Sequence, residues 1–213
     1  MSQQSQQSLS NSALLVIDVQ KGFGSKGELP VPDAESIVPV INKLIPKFPI
    51  VVATKDWHPK EHVSFASTHG KNPGDTLKIG ELNQPLFTAH CVADTPGADF
   101  IDGIDHDSFA KVFLKGTQSS VDSFSAFIDN AGGKATDIAE FLREKDVRQI
   151  FIVGLATNYC VSSSAIDAVN SGFNVTVITD ACRGIDEPPG AVQKSLQAME
   201  AAGIKLIESS ELA

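Results

Sequence analysis

The segment QIFIVGLATNYCVSSSAIDA, residues 149–168, joins an apolar run to a helix-like stretch through a short turn. The apolar run is continuous and rich in β-branched residues, which is typical of a strand that is covered on both faces. Apolar runs of the same kind recur at 13–19, 50–54, 111–114, 174–179 and 204–207. Helix-like segments alternate with several of them, at 34–45, 137–145, 159–171 and 190–202. This alternation predicts a doubly wound α/β domain, with a parallel sheet and helices on both of its faces.

The ends of the predicted helices carry residues that suit those positions. Asp33 and Thr136 precede two of the helices and can cap them. Gly172 and Gly203 follow the other two, where a left-handed cap favours glycine. Between residues 55 and 110 the periodicity disappears, and a loop of this length in a compact domain is usually functional.

The composition is that of an ordinary globular protein, with 42% hydrophobic and 20% charged residues among 213. A net charge of −9 argues against a nucleic-acid-binding surface, because phosphate backbones require clustered lysine and arginine. Three cysteines without paired spacing predict reduced thiols and a cytoplasmic location, with the nucleus or peroxisome as alternatives in a eukaryote. We expect no membrane partner, since no apolar run approaches the roughly 20 residues that cross a bilayer.

The first twelve residues, MSQQSQQSLSNS, are rich in glutamine and serine and lack the apolar core of a signal peptide. Their composition predicts a disordered tail over residues 1–12. Residues 13–213 are then expected to form one domain, because neither an internal repeat nor a linker interrupts them. The sequence does not determine the oligomeric state, and a homo-oligomer is compatible with it.

Four predicted strands end in residues that carry chemistry. The strands lead, in chain order, to Asp18, to Asp56 and His58, to Lys115, and to Cys160. Ligands of a doubly wound sheet bind beyond the carboxyl ends of its strands, so we expect these side chains to converge. Taken singly, Asp18 could instead cap a turn and Lys115 could be a solvated lysine. A functional role for each is favoured because the other residue could neutralise its charge.

Cys160 follows its strand in the first turn of a helix that Thr157 or Asn158 could cap. The helix dipole and the unpaired N–H groups there would stabilise a thiolate. We therefore predict that the pKa of Cys160 lies below the free-cysteine value of about 8.5. The same N–H groups could hold the oxyanion that forms when sulfur attacks a carbonyl carbon. A lone cysteine is more often buried and inert, which is our interpretation of Cys91 and Cys182.

The Asp-x-His pattern at Asp56 and His58 can supply two ligands to one metal ion. A catalytic metal site needs three protein ligands and an open position. The remaining candidates are His62, His69, His90 and His106. The pattern alone is weak, because short polar loops also collect such residues without binding a metal.

Several segments together resemble one family. They are LLVIDVQKGF, VVATKDWHPKEHVSF, HCVADTPGADF, VFLKG and VGLATNYCV, in this order between residues 13 and about 183. They resemble the nicotinamidase branch of the isochorismatase-like cysteine hydrolases. The resemblance implies a six-stranded parallel sheet flanked by helices. It also implies hydrolysis of nicotinamide, a small-molecule substrate, to nicotinate and ammonia in NAD salvage, and hydrolysis of pyrazinamide as well.

Matched residue by residue, the resemblance implies that Cys160 is the nucleophile and that Asp18 and Lys115 complete a catalytic triad. The family has a cis peptide bond just before the nucleophile turn, which falls here at Leu155–Ala156. In the family this bond helps to shape an oxyanion hole, which the resemblance assigns here to the N–H groups of Ala156 and Cys160.

The resemblance also implies that Asp56, His58 and His90 bind one divalent metal ion. His62 matches a histidine that binds the metal in some members and lies near it in others. Zinc is the first expectation, and iron and manganese also suit a mixed carboxylate and imidazole site.

Three aromatic residues, Phe23, Trp57 and Phe87, could form walls around a substrate ring, with core packing as the alternative for each. The family commonly has Trp-Pro-x-His-Cys-Val where this chain has FTAHCV at 87–92, so the pocket shape can differ. It commonly has Ala-Thr-Asp-x-Cys where this chain has ATNYC at 156–160, which removes one negative charge near the sulfur.

Three other activities are weighed against this one. Amidases of the same superfamily that act on a carbamoyl or ureido group use a similar triad but generally lack the metal ligands, and they are the nearest alternative. An isochorismatase proper cleaves a vinyl ether and needs no nucleophilic cysteine, so Cys160 argues against it. A non-enzymatic scaffold would keep its function when Cys160 is replaced by alanine.

Overall fold

A computed structural model describes residues 9–212 of the chain. The strands in this part of the chain are β1 (Ser12–Ile17), β2 (Ile50–Asp56), β3 (Thr76–Ile79), β4 (Leu82–Pro85), β5 (Lys111–Lys115), β6 (Gln149–Leu155), β7 (Asn174–Arg183) and β8 (Lys205–Ile207). The α-helices are α1 (Val38–Leu44), α2 (Ile138–Glu144), α3 (Ser162–Asn170) and α4 (Ala191–Ala201). No helix among the described residues is both long enough and apolar enough to span a membrane.

Six strands form one parallel sheet in the order β5-β2-β1-β6-β7-β8, which confirms the predicted fold class. The chain starts in the middle of this sheet. It builds outward through β2 and β5 on one side and later through β6, β7 and β8 on the other. The order therefore reverses between β1 and β6, and a doubly wound sheet has its ligand crevice beyond the strand ends at such a point.

Both faces of the sheet are buried, and β1 shows how. Its alternate residues Leu14 and Val16 belong to one apolar cluster, while Leu15 and Ile17 belong to the other. Helix α1 packs in the first cluster. Helices α2, α3 and α4 contribute to the second. Burial on both sides explains why the strands are continuous apolar runs rather than alternating ones.

The first predicted helix, 34–45, is only partly correct. Residues Ala34–Ile37 form a 3₁₀ turn, and the α-helix begins at Val38. Asp33 has a left-handed backbone with φ of 56° and makes no capping hydrogen bond through its side chain. Pro39 lies in the first turn of α1, where its missing N–H is least costly, and this favours a helix start at that point.

The other helix ends agree more closely with the predictions. The N-cap of α2 is Asp137 and not Thr136, but the Thr136 hydroxyl still accepts a hydrogen bond from the N–H of Ile138 at 3.2 Å. Gly172 and Gly203 have φ of 90° and 83°, as left-handed caps require. The long segment 55–110 contains the β3–β4 hairpin, which the periodicity missed because both strands are short.

The predicted tail at 1–12 needs correction at its end. Leu9 packs against the core, and its carbonyl accepts hydrogen bonds from the N–H and hydroxyl groups of Ser12 at 3.0 and 2.6 Å. Residues 9–12 therefore belong to the folded domain, with β1 beginning at Ser12. Residues 1–8 and 213 lie outside the described residues.

Gly154 of β6 pairs with Ile17 of β1 and has φ of 121°. A Cβ atom there would lie 2.1 Å from the carbonyl oxygen of Ile17.

We predict that Gly154→Ala lowers the free energy of unfolding by roughly 2–4 kcal/mol, because strain at positive φ adds to overpacking. Urea unfolding measures this change. The matched control is Gly172→Ala, which has a similar φ but an open surrounding, and it should cost only about 1 kcal/mol. Equal costs at the two positions would contradict the close packing at Gly154.

Candidate active site

The carboxyl ends of β1, β2, β5 and β6 bring the predicted site residues together. Lys115 is the last residue of β5, and its ammonium is fully buried. Its Nζ donates hydrogen bonds to Asp56 Oδ1 at 2.6 Å, to the Ser123 carbonyl at 2.9 Å and to Cys160 Sγ at 3.3 Å. It also lies 2.9 Å from Asp18 Oδ2. One ammonium thus links two carboxylates and a thiol.

The charges of this group determine each other's ionisation. Burial alone would lower the pKa of Lys115, but the carboxylates of Asp18 and Asp56 outweigh it and raise that pKa well above its ordinary value. Burial would likewise raise the pKa of Asp56, but Lys115 and His58 outweigh it and lower that pKa. Lys115 therefore remains a cation and Asp56 remains an anion over the whole physiological pH range.

Asp18 differs from Asp56. Burial raises its pKa above the ordinary value, and this effect exceeds the lowering by Lys115. Its Oδ1 accepts a hydrogen bond from the Thr54 hydroxyl at 2.6 Å. Its Oδ2 has no well-aligned donor among the described residues, although Lys115 Nζ is close. One oxygen of Asp18 lies within 4.8 Å of Cys160 Sγ, so the carboxylate of Asp18 is placed to exchange a proton with the thiol.

Cys160 lies in a π-helical turn, Thr157–Val161, that leads from β6 into α3. The Leu155–Ala156 peptide bond before this turn is cis, as the resemblance implied. The expected thiolate is not favoured: burial raises the pKa of the Cys160 thiol well above its ordinary value, and the nearby Lys115 only partly offsets this. Burial at this position therefore favours the thiol over the thiolate.

The predicted helix cap in this turn is also wrong. Neither Thr157 nor Asn158 makes a capping hydrogen bond, and Ala156 occupies the N-cap position. The other two cysteines are free and buried, in agreement with the structural role expected for Cys91 and Cys182.

Asp56, His58 and His90 each offer a ligand atom within 4.8 Å of the others. The Nδ1 of His58 lies 2.9 Å from the Gly116 carbonyl, and the Nδ1 of His90 lies 2.7 Å from the Thr88 carbonyl. A carbonyl only accepts, so each Nδ1 carries a proton and Nε2 is the nitrogen of each ring that is left to bind a metal. This donor set fits a divalent cation with imidazole and carboxylate ligands.

His62 is placed beside this group rather than in it. Its Nδ1 lies 2.7 Å from the Ser64 hydroxyl and its Nε2 lies 3.2 Å from the Val121 carbonyl. Its ring stacks on that of His58 at 4.1 Å between centroids. Both nitrogens of His62 make hydrogen bonds in this structure, and one of them lies within 4.8 Å of ligand atoms of His58 and Asp122. His62 therefore remains a candidate ligand, in a group that shares His58 with the first.

Asp122 is a buried residue of the site that the sequence analysis missed. Its carboxylate lies within 4.8 Å of ligand atoms of His58 and His62. Its Oδ1 accepts a hydrogen bond from the N–H of Ser123, and its Oδ2 accepts one from Gln84 at 3.0 Å. Through Gln84, the β3–β4 hairpin is tied to the site. The only sequence signal for this role is that an aspartate lies in a serine-rich segment shortly after β5.

A small, mainly apolar cavity opens above these groups. Its lining residues are Phe23, Leu29, Val31, Asp56, His58, Phe87, His90, Asp122, Phe124, Ala156, Tyr159, Cys160 and Ile185. Phe23 and Phe87 thus lie where they were expected. Trp57 does not line the cavity, and its ring instead faces Lys55 Nζ at 5.4 Å. Phe124 and Tyr159 were not foreseen as walls; their rings lie 5.7 Å apart.

Comparison with known proteins agrees with this architecture. A profile of the isochorismatase domain matches residues 12–211. The nicotinamidase of Acinetobacter baylyi is 41% identical over 203 residues, covering 95% of this chain and 94% of its own. The solved structure of an Acinetobacter baumannii nicotinamidase and pyrazinamidase has a TM-score of 0.92 at 39% identity, and the match covers 99% of this chain and 100% of that one.

A pyrazinamidase of Pyrococcus horikoshii, solved in complex with zinc, has a TM-score of 0.76 at 35% identity. The match covers 93% of this chain and 99% of that one. The fold, the arrangement of the site and these similarities define the class of protein: the chain belongs to the isochorismatase domain family. Within that family, the similar proteins named above are nicotinamidases and pyrazinamidases.

We predict that Lys115→Met lowers the free energy of unfolding at pH 7 by about 3–5 kcal/mol, because it leaves two buried carboxylates without their cation. Urea unfolding with a chelator present measures the loss. The matched control is Lys205→Met on β8, an exposed lysine whose loss should change stability by about 0.5 kcal/mol or less.

The same pair of variants has a predicted pH dependence. Since the folded-state pKa of Asp56 is lowered, the stability that Lys115 gives through it is present above the ordinary value of 3.8 and is lost as the pH falls below it. The difference between wild type and Lys115→Met should therefore hold from pH 7 down to about 4 and shrink as the pH is lowered further, toward about 2. A difference that is constant with pH would contradict the ion pair.

Proposed function

We propose that this chain is a nicotinamidase, which hydrolyses nicotinamide to nicotinate and ammonia and so serves NAD salvage. The observation that carries the proposal is the convergence of Cys160, Asp18 and Lys115 beside a metal-ligand group, at one cavity with apolar walls. The similarity to nicotinamidases over nearly the whole chain supports it.

In the proposed first step, Cys160 attacks the carboxamide carbon. Its Sγ–H gives its proton to Asp18 Oδ2 while the C–S bond forms, and the carbonyl π electrons move to oxygen. The raised pKa of Asp18 suits a carboxylate that must take up this proton and later release it. Lys115 remains charged throughout, and it stabilises both the carboxylate and the developing negative charge on sulfur.

The negatively charged oxygen that forms in this step, the oxyanion, then needs hydrogen-bond donors. The N–H groups of Ala156 and Cys160 are the proposed pair, and both residues line the cavity. As the carbonyl re-forms, Asp18 gives its proton to the departing nitrogen, the C–N bond breaks, and ammonia leaves a thioester on Cys160. Water then attacks the thioester, Asp18 accepts one of its protons, and the C–S bond breaks as Asp18 passes that proton to the sulfur. The products are the restored thiol and nicotinic acid, which releases its remaining proton to solvent as nicotinate.

We propose that Asp56, His58 and His90 hold one divalent metal ion, with His62 as a further candidate ligand, with zinc as the first expectation and with iron or manganese as alternatives. The zinc-bound pyrazinamidase among the similar structures supports a metal here. When bound, the ion supplies Lewis acidity toward nitrogen and oxygen donors of the substrate and of water. The carbonyl oxygens of Gly116 and Thr88 hold the two imidazole rings in the orientation that ligation needs.

The substrate ring is proposed to lie between the apolar walls of the cavity, with Phe23 and Phe87 among them. Pyrazinamide has the same carboxamide and a ring nitrogen in the same relation to it, so it should be hydrolysed as well. A carbamoyl or ureido amidase that uses the same triad is the alternative activity.

We also infer that residues 9–212 act as one catalytic domain, since all the proposed site residues belong to a single sheet and its loops. The three free, buried cysteines support a reducing compartment, with the cytoplasm as the proposed location.

The direct test of this function is ammonia release from nicotinamide by the purified, zinc-loaded protein. Cys160→Ala should lower kcat/KM by at least about 10³-fold, because it removes the nucleophile. Cys182→Ala, a buried cysteine away from the cavity, is the matched control and should retain most of the activity. Wild-type protein that releases no ammonia from nicotinamide would contradict the proposal and favour a carbamoyl or ureido substrate.

A second prediction concerns the metal ligands. His90→Ala should weaken zinc binding by more than about 100-fold, the upper end of the effect expected for an outer-shell partner. Competition with a coloured chelator measures zinc affinity without relying on activity. His106→Ala, at an exposed position, is the control and should bind zinc like wild type. If His90→Ala also binds zinc like wild type, the assignment of His90 as a ligand is wrong.

A further inference from the structure

The side chain of Asn158 makes two hydrogen bonds to the backbone of one residue. Its Nδ2 donates to the Ile185 carbonyl at 2.9 Å, and its Oδ1 accepts from the Ile185 N–H at 3.0 Å. A side-chain amide can satisfy both groups because it carries a donor and an acceptor side by side. The two bonds fix the backbone of Ile185 both in place and in direction.

We call this pair of hydrogen bonds between Asn158 and Ile185 the clamp. It connects two segments that are far apart in sequence. Asn158 lies two residues before Cys160, in the turn after β6. Ile185 lies in the loop that follows β7, and its side chain lines the cavity together with Cys160. The position of one cavity wall is therefore set from within the turn that carries the nucleophile.

The neighbouring residues leave this loop little freedom to shift. A Cβ atom on Gly184 would come within 2.9 Å of Asn158 Oδ1 and 2.8 Å of Val192 Cγ2. On the other side, Asp186 accepts a hydrogen bond from the N–H of Val192 at 3.0 Å, at the start of α4. Ile185 is thus held between the nucleophile turn and helix α4.

We propose that Asn158 is a positioning residue, which fixes Ile185 as the wall against which the heteroaromatic ring of the substrate packs and thereby sets affinity for that ring. The proposal rests on the proposed nicotinamidase function. Asn158 does not touch the reacting atoms, so it acts through Ile185. Its loss should therefore change KM more than kcat.

The first arm of the test measures the clamp without any substrate. Hydrogen exchange of the Ile185 amide should be slow in wild type and much faster in Asn158→Ala. Asn158→Asp keeps an acceptor for this N–H and should restore part of the protection. Asn170→Ala, an exposed asparagine at the end of α3, is the control and should leave exchange at Ile185 unchanged. Unchanged exchange in Asn158→Ala would overturn the clamp.

The second arm measures steady-state kinetics with nicotinamide. Asn158→Ala should raise KM by roughly tenfold and change kcat by less than about threefold. Ile185→Ala should raise KM in a similar way, and the double variant should be no worse than Ile185→Ala alone, because both changes remove one wall. Fully additive effects, or an unchanged KM, would overturn the proposal.

The two arms separate this proposal from the proposed function. An active wild type whose KM is insensitive to Asn158→Ala refutes the role of Asn158 and leaves the nicotinamidase assignment intact. An inactive wild type refutes the assignment and the claim on ring affinity together, while exchange at Ile185 still decides whether the clamp exists.

Discussion

The buried ammonium of Lys115 is the group on which the arrangement of the site depends. It lies among two carboxylates and a thiol in a region closed to solvent, where any one of the charges alone would cost several kcal/mol. Two carboxylates and one ammonium leave one excess negative charge. The pKa of Asp56 is lowered and that of Asp18 is raised, so Asp18 is the carboxylate that most readily takes a proton. Asp18 also lies beside Cys160, and its Oδ2 accepts no well-aligned hydrogen bond among the described residues.

Asp56 joins the two halves of the site. Its Oδ1 faces Lys115 at 2.6 Å, and its Oδ2 faces Nε2 of His58 at 3.6 Å. The same carboxylate thus serves the ammonium on one side and the metal-ligand group on the other. This sharing is a consequence of the sheet order, because β2 lies between β5 and β1 and delivers Asp56 between Lys115 and Asp18.

The fold and the strand-end residues could be predicted because both follow from local rules. Continuous apolar runs indicate buried parallel strands, and the carboxyl ends of parallel strands meet at one edge of the sheet. The walls of the cavity could not be predicted in the same way. Asp122 and Ile185 come from loops and Tyr159 from the π-helical turn, and the course of these segments depends on tertiary packing. The expected position of Trp57 was wrong, because its ring faces Lys55 Nζ and not the cavity.

The ionisation of Cys160 could not be read from its place near a helix start either. The sequence showed the favourable dipole but not the depth of burial, and desolvation is the larger effect. The roles of the site residues remain predictions until the chemistry is observed. The most direct measurement is mass spectrometry of acid-quenched protein during nicotinamide turnover. The account predicts a nicotinoyl group on the peptide that contains Cys160. A nicotinoyl group on Cys91 or Cys182 instead, or sustained hydrolysis with all three thiols unmodified throughout the time course, would contradict it.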